Sequence, residues 1–151
     1  MYVIGIPKEI KANEKRVSMI PENVKMIVDK GFEVYIETGA GVGAGFEDDD
    51  YINIGAKICE THEDIFKVKE PLDTEYDLIS EKHILYSFFH FASSPSLVEA
   101  MLKSKASCIA YETIQDENKL YPILAPMSKI AGEQAMKKAH EFMNINKVDT
   151  T

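Results

Sequence analysis

The run Ile84-Leu85-Tyr86-Ser87-Phe88-Phe89-His90-Phe91 constrains this chain more than any other stretch, because it is apolar and aromatic for eight residues around a single ionisable group near its end. A run that short and apolar predicts a central strand covered on both faces, so the chain must supply layers on either side of a sheet. Its last residues then reach the carboxyl edge of that sheet, where open α/β folds place their ligand sites. His90 falls there. Alone, such a histidine is more often a satisfied structural residue than a catalytic one, so its role depends on what else reaches the same edge.

The rest of the chain alternates around this run. Residues 2–6 predict a first strand closed by Pro7, and the charge-dense segment 8–17, without a clean period, predicts a long loop of the kind that carries function. Pro21 opens a helix with Val24, Ile27 and Val28 on one face and Gly31 at its end, and residues 33–37 alternate as a second strand. A short helix at 51–54, a strand at 56–59 and a helical segment at 62–65 follow. Residues 66–70 predict a strand stopped by Pro71, with Lys67 and Lys69 on one face by alternation. A helix over 73–79 with an acidic first turn leads to the opening strand, 84–90. Ser93-Ser94-Pro95 caps a helix with Leu97, Val98, Met101 and Leu102 facing inward. Residues 106–110 predict another buried strand, residues 120–124 an extended piece, and residues 127–144 a final helix. This alternation predicts an α/β fold: a doubly wound, mostly parallel sheet with right-handed crossovers and helices on both faces, flavodoxin-like or Rossmann-like in plan.

The glycine-rich segment 39–45 fits the loose GxGxx(G/A) pattern at Gly39, Gly41 and Ala44. The helix after it begins Glu47-Asp48-Asp49-Asp50, and four carboxylates at a helix N-terminus repel the pyrophosphate that a dinucleotide fingerprint holds. These glycines are therefore expected to serve a tight turn and close backbone packing, leaving the chain without an NAD fingerprint.

Composition narrows the function. At 151 residues with 45% hydrophobic side chains, the chain predicts one ordinary domain. No window approaches the roughly 18 consecutive apolar residues of a membrane span, and no basic region precedes the first strand, so a cytoplasmic protein is expected. The formal charge of −8 argues against a nucleic-acid surface. Cys59 and Cys108 lack CxxC spacing and predict two buried thiols, no metal-ligand cluster is read, and His62 takes no role. Sixteen of the seventeen basic residues are Lys, and Arg16 is the sole Arg.

Arg16 in the loop after the first strand, Lys69 at the end of the fourth and His90 at the end of the fifth are expected at one edge. The guanidinium can hold a carboxylate bidentately, Lys69 can polarise a carbonyl or hold a second oxygen, and His90 can pass a proton near neutral pH. A small 2-oxo or 2-amino acid carries the complementary groups.

The blocks Gly5-Ile6-Pro7-Lys8-Glu9-Ile10, Asn13-Glu14-Lys15-Arg16-Val17, Lys67-Val68-Lys69-Glu70-Pro71-Leu72, the run from Ile84 through His90, Ala110-Tyr111-Glu112-Thr113 and Leu124-Ala125-Pro126-Met127-Ser128 with Ala131-Gly132 resemble, in order, the N-terminal substrate domain of the alanine dehydrogenases. The N-terminal part of the nicotinamide nucleotide transhydrogenase α subunit is also similar. The resemblance implies NAD-linked oxidative deamination of L-alanine to pyruvate and ammonia. It implies Arg16 for the substrate carboxylate, Lys69 for a carboxylate or carbonyl oxygen, His90 as acid/base and Ser128 near the nicotinamide cofactor. It further implies a substrate domain over residues 1–130 and a linker helix and tail over 131–151, leading toward an NAD-binding domain that this chain does not contain. The last glycine is Gly132, so no complete NAD site is expected here and the isolated chain is not expected to turn over alanine. A separately encoded NAD-binding domain and a homo-oligomer are the expected partners. A standalone module binding small carboxylates such as pyruvate, or a truncated non-catalytic domain that self-associates, are the alternatives.

Overall fold

The computed structural model describes residues 3–60 and 66–145, and the chain divides after Ala110 into two compact units. The first contains β1 (Val3–Ile6), α1 (Pro21–Val28), β2 (Glu33–Glu37), α2 (Asp48–Ile52), β3 (Lys57–Cys59), β4 (Phe66–Lys69), β5 (Ile84–Phe88), α3 (Pro95–Ser104) and β6 (Ser107–Ala110). Among the described residues no helix is long and apolar enough to cross a membrane.

The expected parallel α/β plan is present as two three-stranded halves, β1-β2-β3 and β4-β5-β6, with every pair parallel. β1 and β4 are in contact, yet no backbone ladder joins them among the described residues. The strands thus read 3-2-1 and then 4-5-6, the order of a doubly wound fold whose direction reverses between β1 and β4. The crevice beyond the carboxyl ends of those two strands is where such a fold opens to a ligand.

Each half has its own core. Ile6, Val34 and Ile36 alternate inward from β1 and β2 and pack with Val24 and Tyr51 from the helices. Leu85, Phe89, Leu97 and Met101 fill the second half. Pro21 starts α1, where a missing N–H costs nothing, and Gly31 follows its end at φ +87°. The Ser94 hydroxyl accepts from the Leu97 N–H at 3.4 Å, starting α3 as expected.

Several expectations need correction. The opening run stops as a strand at Phe88, because His90 adopts a left-handed conformation (φ 51°, ψ 41°) that cannot continue a ladder. Residues 73–78 form a 3-10 segment, while α2 starts on the expected carboxylates, with Glu47 as its cap and Asp48–Asp50 in its first turn, and ends at Ile52 rather than Ile54. Leu102 is 73% exposed: Leu97 and Met101, four residues apart, make the buried stripe, and Leu102 lies about 100° round the helix. The register of β4 shifts between Phe66 and Lys69, and of the two lysines expected on one face Lys67 is buried while Lys69 is half-buried. Cys59 and Cys108 are half-buried rather than buried, though burial still pushes both thiols up. The helical segment expected at 62–65 and His62 lie outside the described residues.

The second unit begins with a 3-10 turn, Tyr111–Thr113, and a loop in which the Asp116 carboxylate accepts from the N–H groups of Asn118 and Leu120, both at 2.9 Å. α4 (Leu124–Ile145) starts three residues before the expected helix, since Pro126 is tolerated in a first turn.

Candidate functional site

The segment after β1 is irregular but closely held. The Glu14 N–H donates to the Lys11 carbonyl at 3.0 Å, Asn13 takes a left-handed φ of 67°, and Val17 is buried in the first core. Gly43 supports it from below: a Cβ there would come within 2.8 Å of the Lys15 carbonyl oxygen and 3.1 Å of its Cα. The chain therefore passes Arg16 with backbone constraints on both sides.

Arg16 is oriented by Glu14. Nε donates to Oε1 at 2.7 Å, Nη2 donates to Oε2 at 2.6 Å, and the Arg16 backbone N–H also donates to Oε1 at 2.9 Å. The Glu14 side chain is only 8% exposed while that of Arg16 is 47% exposed, so the carboxylate anchors and the guanidinium presents. The hydrogen bonds from Arg16 hold the Glu14 carboxyl down at about 2, and the same contact raises Arg16. Because Glu14 takes the Nε–Nη2 edge, the Nη1–Nη2 edge has no hydrogen-bond partner among the described residues. That edge matches a second carboxylate.

At the β1–β4 seam, Glu9 Oε1 accepts from the backbone N–H groups of Val68 and of Lys69, the latter at 3.3 Å. Its Oε2 is buried without a hydrogen bond and lies 3.8 Å from Lys67 Nζ. Lys67 is 3% exposed at its side chain and donates to Glu75 Oε1 at 2.5 Å. Burial raises the Glu9 carboxyl, against the opposing pull of Lys67 and the two N–H groups. Glu70 pairs with Lys11; burial works against its ionisation, but Lys11 prevails and lowers it.

Lys69, the last residue of β4, is half-buried and stands in register with Phe88 of β5. Among the described residues its Nζ makes no hydrogen bond or ion pair, although Glu14 and Glu70 both feel its charge. His90 follows two residues after Phe88, exposed, with its carbonyl accepting from the Ser93 N–H and hydroxyl at 2.9 and 2.8 Å. Its ring stacks on Phe88 at 6.5 Å between centroids. Arg16, Lys69 and His90 thus occupy the loop after β1 and the carboxyl ends of β4 and β5. Ser128 lies on α4 in the second unit, exposed.

Nothing local in the sequence marks Glu9, Glu14 or Glu75 individually, or gives Lys67 its buried partners. One signal was available: a solitary Arg that must be held flat needs a carboxylate nearby, and Glu14 is two residues away. A cleft of about 590 Å³ lined by Tyr76, Ser80, Lys103 and Lys105 lies before β5 and β6, at the opposite strand ends from these groups.

The glycine segment behaves as expected. A Cβ on Gly41 would come within 2.7 Å of the Tyr51 ring and 2.8 Å of the Phe46 carbonyl oxygen. The Gly39 N–H already donates to Asp48 and the Glu47 N–H to Asp50, both at 2.8 Å. Backbone donors that a dinucleotide would need are satisfied by this chain's own carboxylates, so these residues do not fit a pyrophosphate cradle.

Residues 5–131 match the family described as alanine dehydrogenase/PNT, N-terminal domain. The chain is 42% identical over 148 residues to an alanine dehydrogenase of Methanococcus maripaludis and 44% identical over 146 residues to one of Staphylococcus epidermidis, with 93% of this chain covered in each case. It spans only about two fifths of those relatives, 40% and 39%. Among solved structures, an L-alanine dehydrogenase is similar with a TM-score of 0.87 and 40% identity over 96% of this chain and 42% of that one. A transhydrogenase from Sinorhizobium meliloti is similar with a TM-score of 0.69 and 27% identity over 75% of this chain and 36% of that one.

Proposed function

The chain belongs to the alanine dehydrogenase/PNT family as its N-terminal domain, and from that premise we propose that it is the substrate-binding half of an NAD-dependent alanine dehydrogenase. The observation that carries this reading is a half-buried Lys69 ammonium, without an ion pair among the described residues, whose charge reaches the same Glu14 carboxylate that holds the half-exposed Arg16. In the surrounding cluster Lys11 answers Glu70 and Lys67 answers Glu75, which leaves Lys69 and one edge of Arg16 for an external anion. Arg16 lies in the segment after β1 and Lys69 ends β4, the two strands where the fold reverses.

A 2-oxo acid fits this arrangement through two oxygens. Its carboxylate takes the open edge of Arg16, and its carbonyl oxygen takes Lys69, whose charge stabilises oxyanion character as it develops. His90 exchanges the proton of the water that adds to, or leaves, the substrate's nitrogen-bearing carbon. The nicotinamide cofactor would supply the redox chemistry, with Ser128 as its one candidate contact in this chain. The glycine segment does not fit that cofactor, and its site is assigned to a separately encoded domain or to the part of the relatives beyond this chain. A cytoplasmic homo-oligomer acting on L-alanine and pyruvate completes the reading.

Reconstitution tests it. The chain alone should give no alanine-dependent NADH, and mixing it with the separately produced NAD-binding part of a matched relative should restore production. Turnover by the chain alone would contradict the division of labour proposed.

A further inference from the structure

Glu9 stands at the β1–β4 seam, which no backbone ladder bridges among the described residues. The two strands touch there, and the register of β4 against β5 shifts between Phe66 and Lys69. One carboxylate oxygen of Glu9 accepts from the backbone N–H groups of both Val68 and Lys69, and so ties the segment after β1 to the residue whose ammonium has no ion pair among the described residues. We propose that Glu9 is a positioning residue for Lys69, a side-chain bond standing in for the missing β1–β4 ladder and fixing the strand end that presents Lys69 to substrate.

The surroundings fit a tie more than a chance contact. The Glu9 side chain is 3% exposed, and its second oxygen is buried without a hydrogen bond among the described residues, a cost in stability that a positioning role would explain. Lys67, from the same strand as Lys69, sits 3.8 Å from the second oxygen and is itself held by Glu75 from the 3-10 segment, so a buried, fixed cation lies beside the carboxylate and favours its staying in place. The other charges facing Glu9 are Glu14 and Arg16 from the loop. An ionised Glu9 is the stronger acceptor, so the grip on Lys69 should follow its ionisation.

The inference rests on the proposed role of Lys69 in binding pyruvate, and NMR separates the two. In the uniformly labelled chain, the Glu9 carboxyl carbon and the amide protons of Val68 and Lys69 should titrate together, with one midpoint above 4.5. Pyruvate affinity should fall below that midpoint, and Glu9→Gln should abolish the shared amide titration and weaken pyruvate binding about tenfold. Amide protons that ignore the Glu9 carboxyl, or that still titrate in Glu9→Gln, would overturn the proposal, and the wild-type measurement decides even if the variant does not fold. Shared titration in a chain that binds no pyruvate would leave the tie standing, sink the proposed ligand, and with it the positioning role.

Discussion

Arg16 and Glu14 are joined by two parallel hydrogen bonds at 2.7 and 2.6 Å, with the carboxylate nearly buried and the guanidinium half exposed. The pair fixes the plane of the only arginine in the chain and directs its second edge outward.

Acid stability should report this pair. Glu14 falls from 4.5 to about 2 on folding, so its contribution is present above 4.5 and is lost as the pH falls toward 2. Urea unfolding of wild type and Glu14→Gln should therefore converge at acid pH. Because Arg16 is half solvated, the gap at neutral pH is expected to exceed that at acid pH by only about 1 kcal/mol. Glu9 shifts the other way, so its contribution is lost as the pH rises above 4.5, and Glu9→Gln should not reproduce the convergence.

Lys67 should be far more costly to remove. Lys67→Met would leave Glu75 and Glu9 buried without their shared cation, and breaking such a group costs about 3–5 kcal/mol. Chemical denaturation measures it. A loss comparable to that of an exposed ion pair would show that water reaches the seam.

Gly43 should matter to a ligand it does not touch. Gly43→Ala would press a methyl group against the Lys15 backbone and displace the chain beside Arg16, at about 1–3 kcal/mol in stability. Pyruvate affinity should fall with it. Unchanged affinity and stability would mean that the loop around Arg16 yields freely.

Much of this was legible in the sequence, for identifiable reasons. Period-two alternation in β2, Pro21 and Gly31 around α1, and Ser94 before Pro95 act locally, and local chemistry transmits directly into elements. The lone Arg16, the proline stop after Lys69 and the apolar run before His90 marked the edge. What could not be read depends on distant partners. Glu9 meets the amides of Val68 and Lys69 across about sixty residues, and the register shift between Phe66 and Lys69 has no sequence signature of its own. The left-handed turn at His90 and the exposure of Leu102 likewise reflect which neighbours a residue meets rather than its type.

Pyruvate titration tests the central claim most directly. Calorimetry or ligand-observed NMR on wild type, Arg16→Ala and His90→Ala should show wild-type binding with a Kd of about 1 mM or tighter and a loss of at least about tenfold in Arg16→Ala. His90→Ala should also bind more weakly. No wild-type binding up to millimolar pyruvate, or binding unchanged in Arg16→Ala, would contradict a substrate site at this edge.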